Sequence, residues 1–211
     1  MVIAELVEHT EAAAYVDLFR AAPPSFGLEV QETGGVTALL APGIDILLFN
    51  RVIGLGVGRD GTPDQVEALV ARYRAAGVRN FGVQLSPAAR PSSLPEMLAG
   101  CGLQVRDYWT KVYRPAEPGI TLPTDLRSVG RANWHHYMAW DGEAPAAVAA
   151  LFIRDGAGWL GDGAALGCRW FATETGQDWP DKPNPSFHNM QRAGFAVAYQ
   201  RPNYMPPATR A

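Results

Sequence analysis

The chain has 211 residues, 47% of them apolar, and a formal net charge of −3. That length fits one large domain or two small ones, and the mild acidity, with no block of like charges, excludes nucleic acid or an anionic membrane as the main partner. No apolar run approaches the roughly 20 residues that span a bilayer, and Met1-Val-Ile-Ala-Glu-Leu-Val-Glu-His9 lacks the basic segment of a signal peptide, so the expectation is a cytoplasmic protein whose Cys101 and Cys168 are reduced, buried thiols.

Taken in order, Thr10–Arg20 reads as a helix: Thr10 caps it, apolar residues recur at three-to-four spacing, and Pro23-Pro24 ends it. Leu28–Thr33 and Val36–Ala41 alternate around Gly34-Gly35 and predict a hairpin. Ile44–Phe49 is a nearly continuous apolar run, predicted to be a strand covered on both faces. The next helix has the clearest signals: Thr62 as cap, Pro63 at the first position, Asp64 at the positive end, a stripe of Val66, Leu69, Val70 and Tyr73, and Gly77 as the stop. Phe81–Leu85 then reads as a strand, Ser93–Ala99 as a short helix and Gln104–Tyr113 as a strand, which makes an α/β unit.

After the linker Pro115-Ala-Glu-Pro-Gly119 the pattern changes. His136–Trp140 and Ala146–Ile153 flank Asp141-Gly142, a hairpin signal. Asp155-Gly156 repeats the device before Ala157–Gly161, and Cys168–Thr173 comes next as a strand. The second half imperfectly repeats the first. Gly77–Ser86 aligns with Gly167–Gly176, Leu94–Leu103 with His188–Phe195, and both copies run into an aromatic strand bearing Arg-Pro, Tyr108–Pro115 and Tyr199–Tyr204. The division is 1–115, a linker at 116–120, and 121–211. Two helical segments of the first copy have no counterpart in the second, after about 126 and after about 165. Three explanations fit: the gene has lost them and the fold is a degenerate, non-catalytic one, the chain has been trimmed, or they belong to the native chain and are absent from this sequence; the last is the expectation, because losing them uncovers a sheet face.

The order of meander, helix, strand, helix ending in Gly-Phe and final strand pair resembles the GNAT acyltransferase superfamily. The residues that carry the resemblance are Trp134–Gly142, Trp159-Leu-Gly161, Thr173–Gly176, Pro183–Ser186, Arg192–Phe195 and Arg201-Pro-Asn-Tyr204. The resemblance covers nearly the whole chain and implies an α/β (α+β) fold of tandem GNAT-like units, each a mixed, mostly antiparallel sheet flanked by helices. It implies acetyl transfer from acetyl-CoA to a primary amine of a small molecule or peptide. A backbone N–H loop at a helix N-terminus would hold the pyrophosphate, and a splayed strand pair would take the pantetheine arm.

The residues depart from that pattern. Where the family has Arg/Gln-x-x-Gly-x-Gly/Ala, this chain has Asp162-Gly-Ala-Ala-Leu-Gly167; Gly163 and Ala164 are what remains of the cofactor loop. Gly54–Gly61 is Gly-rich before a helix but in another order, which is weak evidence for a phosphate site. The usual acid, a Tyr four residues before Gly-Phe, is Met190, and Tyr199 is the substitute. Glu174, on the splayed strand, is the candidate base; its plain structural reading is a solvated strand-end acid. Asn184 and Ser186 open the last helix, where they either contact cofactor or simply cap. His135 and His136 are adjacent on a strand, point to opposite faces and cannot chelate together, and no metal spacing occurs. The alternative function is a GNAT-like binding module without catalysis. A hydrolase built on Ser86 or Ser186 lacks a nucleophile elbow.

Overall fold

The structure is a computed structural model that describes residues 3–115, 133–141, 144–159 and 169–208. Helix α1 spans Ile3–Ala21. The hairpin β1 (Glu29–Thr33) and β2 (Val36–Leu40) turns at Gly34 and Gly35, whose φ of +60° and +87° require glycine. Strand β3 (Arg51–Ile53), helix α2 (Pro63–Ala75), strand β4 (Gly82–Gln84), helix α3 (Leu94–Gly100) and strand β5 (Gln104–Pro115) complete the first half. The second half has β6 (Trp134–Asp141), β7 (Ala144–Arg154), β8 (Ala157–Trp159), β9 (Trp170–Gly176), α4 (Pro185–Arg192) and β10 (Ala196–Met205).

Two expectations change. The first helix begins at least seven residues before Thr10, which lies inside it and donates its hydroxyl back to the Leu6 carbonyl at 2.8 Å. The run Ile44–Phe49 is not a strand; it is a turn ending in a short 3-10 segment, Leu47–Phe49, with β3 after it. Buried Asn50 explains the difference. Its Nδ2 donates to the carbonyls of Ile44 (2.7 Å), Ile46 (3.1 Å) and Ala41 (3.3 Å), and its Oδ1 accepts from Ala41 N–H (2.8 Å). One side chain thus supplies the partners that a sheet would have given.

The ten strands of the described residues form one sheet, ordered β1-β2-β3-β4-β10-β5-β9-β8-β7-β6. The pairs β3–β4 and β8–β9 are parallel; the others are antiparallel. Matching β1–β5 with β6–β10 makes this order read the same from either edge. The last strand of each half is therefore built into the other: β10 lies between β4 and β5, and β5 lies between β10 and β9. The residues 1–115 and 121–211 cannot separate without breaking sheet hydrogen bonds; the linker at 116–120 is outside the described residues, as are both positions of the missing helices.

Helix α1 fixes the curvature. It packs on β1 and β2 at one flank and on β7, β8 and β9 at the other, and it is tied to both edge strands, through Arg20–Glu32 at 2.6 Å and Asp17–Trp134 Nε1 at 2.7 Å. The sheet curls around it. Val7, Ala14, Tyr15 and Phe19 of α1 meet Leu39, Ile53, Phe152, Trp159 and Ala172 in one core. On the opposite face of the first half, Val66, Leu69, Val70 and Tyr73 of α2 and Leu94 and Leu98 of α3 cover Val52, Val83 and Leu85. Each such buried side chain contributes about 1.5–3 kcal/mol. Tyr73 also stacks on Phe81 at 4.7 Å and donates its hydroxyl to the Leu39 carbonyl at 2.7 Å. Among the described residues no helix is long and apolar enough to cross a membrane.

Candidate functional site

Beside that apolar core, the concave face under α1 holds a cluster of buried charge. Glu8 and Glu11 project from α1, Arg51 from β3, Gln84 from β4, Lys111 from β5, and Arg201 and Asn203 from β10; all are fully buried. Glu174 of β9 completes the group, its side chain 10% exposed. Three carboxylates thus face three cations, which is the condition for burying them together. Glu11 accepts from Lys111 Nζ at 2.6 Å and from Arg201 Nη1 and Nη2 at 2.7 and 2.9 Å, with Arg51 Nη1 at 3.1 Å. Glu8 accepts from Arg201 Nη1 and, at 2.6 Å, from the Tyr199 hydroxyl. Gln84 Oε1 joins Arg51 and Arg201, and its Nε2 donates to Asn203 Oδ1 at 2.6 Å.

The electrostatics arise from that packing. Burial alone would raise the Glu11 carboxyl, but Arg201, Lys111 and Arg51 outweigh it and hold it well below the usual carboxylate range. Burial, aided by Arg201, pushes the Lys111 ammonium below its ordinary value against the pull of Glu11 and Glu174. Burial pushes the Tyr15 phenol up to about 12. The Arg51 guanidinium lies 4.2 Å from the Tyr15 ring centroid and 5.0 Å from that of Trp109, and Lys111 Nζ lies 4.6 Å from that of Trp159.

Two of the residues singled out in the sequence fall inside this cluster. Glu174 is not a solvated acid: its two oxygens accept from Arg51 Nη1 (2.8 Å), Lys111 Nζ and Arg201 Nη2 (3.0 Å). Tyr199 is bound to Glu8, and burial, seconded by that carboxylate, pushes its phenol far up, so the hydroxyl keeps its proton. Asn184 stands apart at the start of α4. Its Oδ1 accepts from Ser186 N–H (3.1 Å) and Phe187 N–H (3.3 Å), and its Nδ2 donates to the Gly176 carbonyl (2.7 Å) and Thr175 Oγ1 (2.9 Å). It caps α4 and pins that helix to the end of β9. Ser186 is exposed there. Gly163 and Ala164 lie outside the described residues.

The two parallel strand pairs end differently. In the first half, the Gly-rich loop after β3 folds onto its own chain: Arg90 donates its N–H to the Gly56 carbonyl at 2.9 Å and accepts from Gly61 N–H at 2.8 Å. A Cβ on Gly56 would stand 2.5 Å from the Arg90 carbonyl oxygen, so the loop's concavity is already filled. In the second half, β8 pairs with β9 only as far as Trp159↔Ala172, while β9 continues to Gly176. Thr173–Gly176 therefore has no strand partner on that side among the described residues. Thr173 Oγ1 and Trp159 Nε1 are buried beside it without a hydrogen-bond partner.

No protein-family model and no curated protein sequence matches the chain. Its shape does have matches. A GCN5-related N-acetyltransferase from Kribbella flavida superimposes with a TM-score of 0.63 at 16% identity, over 99% of this chain and 97% of that one. The fold is that of the GCN5-related N-acetyltransferases. A tandem GNAT protein from the clavulanic acid biosynthesis pathway matches with a TM-score of 0.51 at 12% identity, covering 99% of this chain and 96% of that one. A conserved protein of unknown function from Staphylococcus epidermidis matches at 0.50 and 10% identity, covering 87% and 97%. At these identities the likeness establishes the GNAT fold and leaves the chemistry to the residues.

The sequence missed most of the charged cluster. Glu8 and Glu11 lie three apart on α1 with Val7, Ala14 and Tyr15 around them, so they stand on the buried stripe; that placement was the available signal. Arg201 was legible only as part of an Arg-Pro motif.

Proposed function

We propose that the protein is an acyltransferase that moves an acetyl group from acetyl-CoA to a primary amine of a small molecule or peptide. The supporting observation is the edge of β9 at Thr173–Gly176, which has no strand partner on the β8 side among the described residues. An extended chain bearing amides adds to such an edge as a strand does, and the pantetheine arm is such a chain. Asn184 and Ser186 would flank it at the start of α4, and Gly163 and Ala164 would supply the loop beyond β8. Because Gly54–Gly61 is filled by its own chain, the protein has one cosubstrate site rather than two.

In this reading Glu174 and Tyr199 form the charged wall beside the site. A proton reaching Glu174 has to displace one of three cations, and a proton leaving Tyr199 passes to Glu8, so both act through the network rather than as isolated groups. Calorimetric titration of acetyl-CoA into the full chain tests the proposal; saturable binding supports it. The second reading, a GNAT-like module without catalysis, is favoured by the filled Gly-rich loop and by Met190 at the usual tyrosine position. Absence of acetyl-CoA binding selects it.

A further inference from the structure

A groove apart from the charged cluster lies over α1, between the two flanks of the curled sheet. Its volume is about 670 Å³, within the roughly 300–1,000 Å³ of small-molecule sites. Leu6, His9 and Ala13, at three-to-four spacing on α1, form its floor. One wall is the β1–β2 hairpin from Glu32 to Thr37; the other is the β7–β8 turn at Arg154 and Asp155, with Ala157 and Arg169. Both turns are tight, with φ of +60° and +87° at Gly34 and Gly35 and of +52° and +75° at Asp155 and Gly156, so the walls are set before any ligand arrives. Ala157 pairs with Trp170 at the start of the parallel pair. The groove is therefore at the opposite end of β8 from Trp159 and is separate from the edge proposed for the cosubstrate.

The chain carries a net charge of −3, yet the charges gathered here are mostly cationic. Arg154 and Arg169 line one wall and His9 the floor, all three exposed. Arg59 adds a third guanidinium at the other turn, its Nη1 3.6 Å from where a Cβ on Gly34 would stand. Arg169 is held against its own turn: its backbone N–H donates to the Gly156 carbonyl at 2.7 Å, and its Nε lies 3.1 Å from the place of a Cβ on Gly156. Among the described residues neither the Arg59 nor the Arg169 guanidinium has an ion-pair or hydrogen-bond partner. The two acids at the groove do not cancel this charge. Glu32 is taken by Arg20 at 2.6 Å. The Asp155 side chain is 92% exposed, and its 3.6 Å approach to Arg154 Nε is too long for a hydrogen bond. Leu6, Ala13, Val36 and Ala157 give an apolar lining between the charges.

We propose that this groove binds a small organic oxyanion, its phosphate or carboxylate group paired with Arg154 and Arg169 and its apolar body laid on Leu6, Ala13 and Val36. Guanidinium groups hold such oxygens through parallel N–H donors. The ligand touches α1 and both flanks of the sheet at once, so it ties the flanks together and stabilises the folded chain as the site fills. The site uses no part of the acetyl-transfer chemistry and stands whether or not the protein is an acyltransferase.

The test titrates the full chain with phenyl phosphate, benzoate and inorganic phosphate at fixed ionic strength, read by calorimetry and by thermal melting. Phenyl phosphate or benzoate should bind saturably at one per chain and raise Tm, and the tighter of the two identifies the head group. Inorganic phosphate, which leaves the apolar lining uncovered, should bind about tenfold more weakly or worse than phenyl phosphate. Arg154→Gln and Arg169→Gln should each weaken binding by about tenfold or more. Both are surface changes, and melting without ligand checks that the variants fold. Arg79→Gln removes an arginine that is 85% exposed at another place and should leave binding unchanged. No saturable heat from either organic probe at millimolar concentration overturns the proposal. So does binding that survives Arg154→Gln and Arg169→Gln, binding that falls as much in Arg79→Gln, or displacement of the probe by acetyl-CoA, which would make the groove the cosubstrate's own.

Discussion

Glu11→Gln probes the buried cluster with the smallest change of shape. In the wild type Glu11 receives Lys111 at 2.6 Å, Arg201 at 2.7 and 2.9 Å, and Arg51 at 3.1 Å, all without solvent. The substitution leaves three cations sharing two carboxylates and turns an amide N–H2 toward them. Breaking a buried pair by removing one partner costs about 3–5 kcal/mol. Arg201 keeps Glu8 and Glu174, and Lys111 and Arg51 keep Glu174, which places the cost at the lower end, about 3 kcal/mol. For a chain of this size that lowers Tm by about 6–12 °C. Thermal melting by circular dichroism, with urea titration for the free energy, is the assay. Glu32→Gln is the control, since its pair with Arg20 is exposed and worth about 0–1 kcal/mol. The pH dependence has a definite sign. Glu11 is held below its ordinary 4.5 in the folded state, so its contribution is present above that pH and lost as the pH falls below it. The wild type should destabilise on acidification more steeply than Glu11→Gln. A variant whose stability lies within about 1 kcal/mol of the wild type, with the same acid slope, would refute the idea that Glu11 is the centre of the network.

Three further outcomes are expected. Gly56→Ala should lose about 1–2 kcal/mol from a φ of +78° and a further 1–3 kcal/mol from crowding the Arg90 backbone; Gly58→Ala, with a φ of +77° and open space around it, should show only the first loss in urea titrations. Alkaline titration monitored near 295 nm should find at least three of the seven tyrosines, Tyr15, Tyr73 and Tyr199, silent until the protein unfolds, because burial raises all three. A chain cut at a protease site engineered at Glu117 should still elute as one species in native gel filtration, since β10 sits between β4 and β5; two separate peaks would contradict the interleaved sheet.

Local signals carried much of the fold into the sequence. Thr62 accepts from Gln65 N–H at 3.2 Å at the start of α2, Asn184 caps α4, and the Gly34-Gly35 and Asp155-Gly156 turns join the strands expected of them. These elements depend on neighbours in the chain. What failed depends on partners far away. The turn at Ile44–Phe49 is decided by the side chain of Asn50, which apolar patterning does not see. The early start of α1 was hidden because its buried face carries Glu8 and Glu11, whose cationic partners come from β3, β5 and β10. The candidate base Glu174 was placed on the correct strand, but the three cations on it come from positions 51, 111 and 201. The strand order, with each half's last strand inside the other, is likewise a pairing that no local motif encodes.

The claim that the protein uses one cosubstrate site, on the second half, is tested most directly by titrating acetyl-CoA into the full chain in a calorimeter. Saturable heat with one equivalent bound per chain is expected, because Thr173–Gly176 of β9 has no strand partner on the β8 side among the described residues and the Gly-rich loop of the first half is filled by Arg90 and Leu94. No heat at millimolar acetyl-CoA, or two equivalents bound, would contradict it.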